Sequence, residues 1–185
     1  MILPTYGQAI TGLSVGGMPL SASVFNEHQV RAAAGLTLVI GAVAFAYAFI
    51  AGEYRPIQLV VALFALEFAV RVVLGIHRSP LGLLAGVLVR RRPPMWVSAK
   101  PKRFAWTLGL VMTFAMLIIS GIGIRGTLPL SICVLCLVLM WLETALGLCL
   151  GCEFHGFMVR RGWVRRDSAY EVCAGDACAA PGRRS

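Results

Sequence analysis

Apolar residues fill four long runs of this chain without alternation, and polar residues are concentrated in the stretches between them. The runs cover residues 32–51, 57–76, 104–124 and 128–150. The hydrocarbon core of a bilayer is about 30 Å thick and takes about 20 apolar residues of helix to cross. Each run reaches that length. Backbone polar groups in lipid must pair within a helix or a closed barrel, and long runs without a two-residue period exclude the barrel. The pattern predicts an all-α, polytopic membrane protein, a four-transmembrane-helix bundle. Residues 52–56 and 125–127 are short connections, so the runs should pair as two antiparallel hairpins, with Pro56 near a helix start where it is tolerated. Residues 77–103 form a long central loop. Within it, residues 81–89 are apolar but too short to span, and are expected to lie along the interface. The membrane domain is then 26–158. Residues 1–25, rich in Gly and Ser, are expected to be poorly ordered, and 159–185 to form a basic, flexible tail. The first 25 residues lack the features of a secretory signal, and Met18 is an alternative start.

Composition strengthens the membrane reading. Hydrophobic residues are 58% of the 185 and charged residues 14%, with mean hydropathy +0.81. A soluble domain has about 45–50% apolar and about 25% charged residues. A small water-soluble core cannot hide such an excess. The net charge of +9 is not a nucleic-acid signature, because the basic residues cluster at the ends of apolar runs and no basic face alternates with aromatics. Arg31, the central loop and the tail together hold fourteen Lys and Arg, against two, Arg55 and Arg125, in the short turns. The positive-inside rule puts the rich side, and both termini, in the cytoplasm.

Six cysteines fall in three pairs, all in the last third of the chain. Cys133 and Cys136 lie early in the fourth run, Cys149 and Cys152 at its basic end, and Cys173 and Cys178 in the tail. Two C-x-x-C pairs suggest a four-thiolate zinc site. However, Cys133 and Cys149 are 16 residues apart, about 24 Å along one uninterrupted helix, and zinc needs its sulfurs about 2.3 Å from one ion. No metal is expected, nor covalent haem. Redox chemistry survives this test, because residues i and i+3 share a helix face at a spacing near disulfide range. On a continuous helix Cys149 and Cys152 would sit at a C-terminus, where the dipole and Glu153 oppose a thiolate. The competing reading for Cys133 and Cys136 is packing, since Cys is also a small hydrophobe, and for Cys173 and Cys178, otherwise a mobile thiol pair, it is the composition of the tail.

Charged residues within spans face the bundle interior or a cavity. Glu67 and Arg71 are spaced i, i+4 and can pair on one face. Glu143 lies at a similar depth to Arg71, so a Glu67–Arg71–Glu143 cluster is feasible, as a lock between helices or as an anion or proton site.

Six segments stand out together: Asn26-Glu27-His28-Gln29-Val30-Arg31, Glu67-Phe68 with Arg71, Ser79-Pro80, Pro101-Lys102-Arg103-Phe104-Ala105, Cys136 with Leu142-Glu143, and Gly147-Leu148-Cys149-Leu150-Gly151-Cys152. In these the chain resembles a bacterial membrane-protein family catalogued as domain of unknown function 4395. The resemblance implies a four-helix bundle in the bacterial plasma membrane. It also implies genes encoded beside thioredoxin-like and thiosulfate-sulfurtransferase proteins. Members often carry Lys and Tyr after the last cysteine, where this chain has Glu153-Phe154-His155.

Three functions follow as expectations. The first is thiol redox or sulfur relay, with Cys149 and Cys152 exchanging with a thioredoxin-like or rhodanese-like partner. Cys133 and Cys136 would be a second couple, linked through a quinone, a partner or a moving segment. The second is a transporter or channel for a small anion such as thiosulfate, centred on Arg71 and requiring a homo-oligomer. The third is a non-catalytic anchor whose basic loop and tail hold soluble enzymes or anionic lipid.

Overall fold

The computed structural model describes residues 23–164, together with the backbone of a small antiparallel ribbon, β1 (Ser14–Val15) and β2 (Met18–Pro19). Strand β3 (Val24–Asn26) leads into helix α1 (Glu27–Ala51), followed by α2 (Arg55–Leu74), a 3-10 turn (Ile76–Arg78) and α3 (Pro80–Val89). Strand β4 (Trp96–Ser98) leads into α4 (Ala99–Gly121), then α5 (Thr127–Trp141), a π-helical turn (Leu142–Leu146) and α6 (Leu150–Arg160). Four helical segments are long and apolar enough to cross a membrane: Glu27–Ala51, Arg55–Leu74, Ala99–Gly121 and Thr127–Leu146. The expected all-α bundle is present.

The faces these helices turn outward are apolar. Ile50 is 82% exposed and Ile118 63%, with Phe49, Leu59 and Val111 similarly open. This is the surface expected of helices solvated by lipid. Inside, small residues let the helices approach: Ala33, Ala34, Ala44 and Ala48 are all buried along α1.

The two short turns join α1 to α2 and α4 to α5 as hairpins. At that end the hairpins are tied together: the Tyr54 hydroxyl accepts from the Gly126 amide at 2.9 Å, and Gln58 donates to the Ser120 carbonyl at 2.9 Å. Away from the turn α4 and α5 part company. Helix α4 packs most broadly on α2, and α5 on α1.

The opposite, basic end is built from more pieces than the hydrophobic pattern predicts. Strands β3 and β4 pair antiparallel, Phe25 opposite Val97, and so align the starts of α1 and α4. These strands are too short to show a two-residue period. Their pairing joins residues some seventy apart, so it is a tertiary effect. The apolar stretch 81–89 is a true helix, α3, started by a Ser79 cap on the Gly82 amide with Pro80 in the first turn. It packs against α1. A buried core fills this end, with Phe25, Val30, Phe68, Ile76, Val97 and Trp106 in mutual packing.

The fourth apolar run departs from expectation. It is not one helix over 128–150. The α-helix ends at Trp141, widens into a π turn, and stops at Gly147, whose φ of +69° is the left-handed conformation that ends helices. A new helix starts after Cys149.

Candidate functional site

The break between α5 and α6 positions the cysteines. A helix end leaves carbonyls without partners. Here the Gly147 amide donates to the Glu143 carbonyl and the Leu148 amide to that of Leu142, both at 3.1 Å. Arg31, from the second turn of α1, meets two more. Its guanidinium donates to the Thr144 carbonyl at 3.1 and 3.3 Å and to that of Ala145 at 2.8 Å. A cation at a helix C-terminus also complements the dipole.

Cys149 therefore lies just beyond the end of that helix rather than within it. It is the N-cap of the next one. Its backbone is extended, and its Sγ accepts from the Cys152 amide at 3.4 Å. This corrects the expectation that a helix C-terminus opposes a thiolate at Cys149. The unpaired amides at a helix start favour negative charge there. A continuous apolar pattern concealed the break, because Gly147-Leu148 interrupts the helix without interrupting the hydrophobicity.

Gly151, within the pair, brings α6 onto α4. A Cβ at this position would lie 2.7 Å from Ala105 Cβ and 2.8 Å from Ala105 Cα, so only glycine permits the approach. Cys152 is thereby driven inward to 3% exposure, and Cys149 stays half-buried. Both are free thiols. The hydrogen bond with Cys152, and then burial, hold the Cys149 thiol well above its ordinary range, while the Lys102 ammonium pulls the other way.

Lys102 is the residue that sequence reasoning missed. Assigned to the basic loop, it lies instead in the first turn of α4 and is 4% exposed. Its Nζ is 3.0 Å from Glu27 Oε2 and 2.6 Å from Glu143 Oε1, and it acts electrostatically on Cys149 and Cys152. All three charged groups are buried. Glu143 thus lies with Lys102 and Glu27, a partnership that its depth beside Arg71 did not suggest. The strand pair β3–β4 is what brings Glu27 beside Lys102. Glu67 and Arg71 do pair, at 2.8 Å through both Nε and Nη2, on the buried face of α2. Glu67 also accepts from the Leu81 amide at the start of α3.

The segment Asn26–Arg31 shows what could have revealed this site. Asn26 caps α1 and also accepts from Met95, Glu27 binds Lys102, Gln29 donates to the Gly82 carbonyl, and Arg31 holds the α5 end. Four polar residues in six each latch a different part of the basic end.

Cys133 and Cys136 lie on α5, facing a cavity of about 310 Å³ lined by α1, α2, α4, α5 and the start of α6. Cys149 and Glu143 line the same cavity from the other end. Cys173 and Cys178 lie outside the described residues. Among the described residues no three His, Cys, Asp or Glu side chains gather as a metal site.

A family model described as "Domain of unknown function (DUF4395)" matches residues 25–160. No curated protein and no solved structure matches the chain.

Proposed function

The chain belongs to the DUF4395 family, and from that premise we propose that it is an integral membrane thiol–disulfide exchange protein. Its working pair is Cys149 and Cys152, and its partner is a thioredoxin-like or rhodanese-like protein on the cytoplasmic side of a bacterial plasma membrane. The observation that carries this reading is the N-cap position of Cys149, with its sulfur on the Cys152 amide and a buried lysine behind it. A cysteine there for packing alone would need neither the break in the fourth span nor the Lys102 charge.

The two sulfurs have different roles. Cys149 keeps exposed surface and Cys152 has almost none. A partner's thiolate therefore attacks the oxidised pair at Cys149. The Cys149–Cys152 bond breaks, a mixed disulfide forms at Cys149, and Cys152 leaves as a thiolate. The α6 N-terminus and Lys102 stabilise the negative charge. A second partner thiolate then attacks the partner's own sulfur in the mixed disulfide and expels Cys149, leaving the partner oxidised and the pair reduced. In the reduced pair the contact with Cys152 and burial disfavour ionisation of the Cys149 thiol. Entry from the oxidised form is accordingly the easier direction.

Trapping tests this. With the pair oxidised, a cytoplasmic partner lacking its second thiol should be held in a stable disulfide with Cys149, visible as a reductant-sensitive band, and Cys149→Ser should abolish it. An unchanged band in Cys149→Ser would overturn the assignment.

A further inference from the structure

If reduced Cys149 and Cys152 are to work again, their two electrons must leave through something the fold admits. We infer that the cavity between α4 and α5 is a binding site for the ring of a lipid-soluble quinone, which reoxidises the Cys149–Cys152 dithiol. The inference rests on the exchange reading above and names its electron acceptor.

Three features define the occupant. First, the cavity exists because α4 and α5, though joined by a short turn, pack on α2 and α1 instead of on each other. Gly41, Ala44 and Gly109 line it without filling it. Apolar cavities of this kind stay dry, and an empty one forfeits the packing contacts of its walls. Its walls are almost wholly hydrocarbon, so a charged or strongly polar guest is disfavoured. Second, it is open to the lipid-facing surface. Leu108, Leu150 and Phe154 line it and are themselves exposed. A guest can thus enter sideways from the bilayer and leave an apolar tail behind. Third, the cavity is lined by thiols. Cys149 faces it at the basic end, and Cys133 and Cys136 face it from α5. A lipid acyl chain would fill the space but has no use for sulfur. A quinone fits the size and polarity, and accepts what a dithiol releases.

The step balances. The Cys149 thiol gives up its proton as its sulfur adds to the quinone; Cys152 gives up the second proton as its sulfur attacks that of Cys149; the Cys149–Cys152 bond forms while the Cys149–quinone bond breaks with its electron pair going to the quinone, which departs as the quinol. Both protons come from the two thiols. Among the described residues Glu143 is the one charged side chain lining the cavity, and with Lys102 against it it is placed to pass a proton from the thiols to the quinone oxygen.

The test uses the full chain in lipid nanodiscs, reduced and freed of reductant, with decylubiquinone as probe. One quinone should be reduced per Cys149–Cys152 pair, and those thiols should become resistant to alkylation. Met112→Trp, which fills the cavity wall, should raise the quinone concentration needed at least tenfold. An azido-quinone should label cavity residues of α4 or α5 in the unmutated protein, which keeps the test valid if Met112→Trp does not fold. Protein that is trapped with its thiol partner but neither reduces nor is labelled by quinone overturns the quinone site and leaves the exchange role standing. Phospholipid retained in the cavity against excess quinone would overturn it equally. Failure of trapping overturns both.

Discussion

Lys102 Nζ stands 2.6 Å from Glu143 Oε1, joining the first turn of α4 to the last turn of a span that leaves α4 almost directly after their common connection. The turn ties these two helices at one end and this ion pair ties them at the other, with the cavity between. Glu27 completes the group from α1. Two carboxylates and one ammonium are thereby buried at the basic end of the bundle.

Removing the lysine alone should be severe. Lys102→Met leaves two buried carboxylates facing each other, and breaking a buried pair in this way costs about 3–5 kcal/mol. Replacing all three together, Lys102→Met with Glu27→Leu and Glu143→Leu, removes the uncompensated charge and should recover most of that loss. Unfolding in mixed micelles, followed by helical circular dichroism, separates the two cases. A triple variant as unstable as the single one would show that the group is held by something other than charge. If the triple variant is stable, its thiol exchange should still be slow, since the cation beside Cys149 is gone.

Arg31 should act on the cysteines from a distance. Its three bonds to the Thr144 and Ala145 carbonyls close the end of the fourth span. Hydrogen bonds to charged groups contribute about 1.5–3 kcal/mol each at most, and these share one side chain. Arg31→Gln is expected to destabilise the fold by about 2 kcal/mol and to speed amide exchange at residues 144–149. Arg31→Lys should restore little, because a point charge cannot meet two carbonyls as the planar fork does. Normal exchange at 144–149 in Arg31→Gln would count against the capping role.

The spans were legible because lipid imposes one requirement on every residue of a run, and twenty apolar residues in sequence meet it visibly. The Glu67–Arg71 pair was legible because i, i+4 spacing is a local fact. The break before Cys149 was not, because Gly147 ends the helix through backbone conformation and changes no hydrophobic position. Lys102 looked like one basic loop residue among seven. Its burial depends on β3 pairing with β4 across residues 24–26 and 96–98, which no local pattern announces. The role of Cys149 changed accordingly, from the end of one helix to the start of another.

Gly151 should be the least replaceable residue between the cysteines. An added Cβ would press on Ala105, and overpacking typically costs about 1–3 kcal/mol. Gly151→Ala is expected to lift α6 from α4 and expose Cys152, so that maleimide labels Cys152 without denaturant. Ala105→Gly in the same chain removes the nearer contact, the Cβ, and should return part of the protection. Equal labelling of Cys152 in the single and double variants would mean that α6 is held elsewhere.

The reduced pair should also give the protein an alkaline weakness. Contact with Cys152 and burial raise the Cys149 thiol in the folded state; an unfolded cysteine ionises near about 8.5. The folded state thus holds its proton where the unfolded state has released it. The associated stability is complete below about 8.5 and is lost as pH rises from there toward the folded value. Oxidised protein has no thiol proton at either sulfur and should lack this loss. Unfolding measured from pH 7 to 10 on both forms, in a background with Cys133, Cys136, Cys173 and Cys178 replaced by Ser, isolates the effect. Iodoacetamide reactivity of Cys149 should follow the same titration. It should move to lower pH in Cys152→Ala, which removes the largest cause of the rise, and to higher pH in Lys102→Met. An alkylation midpoint below that of a free thiol in the reduced protein would show that the helix N-terminus and Lys102 outweigh burial, and the preferred direction of exchange would then reverse.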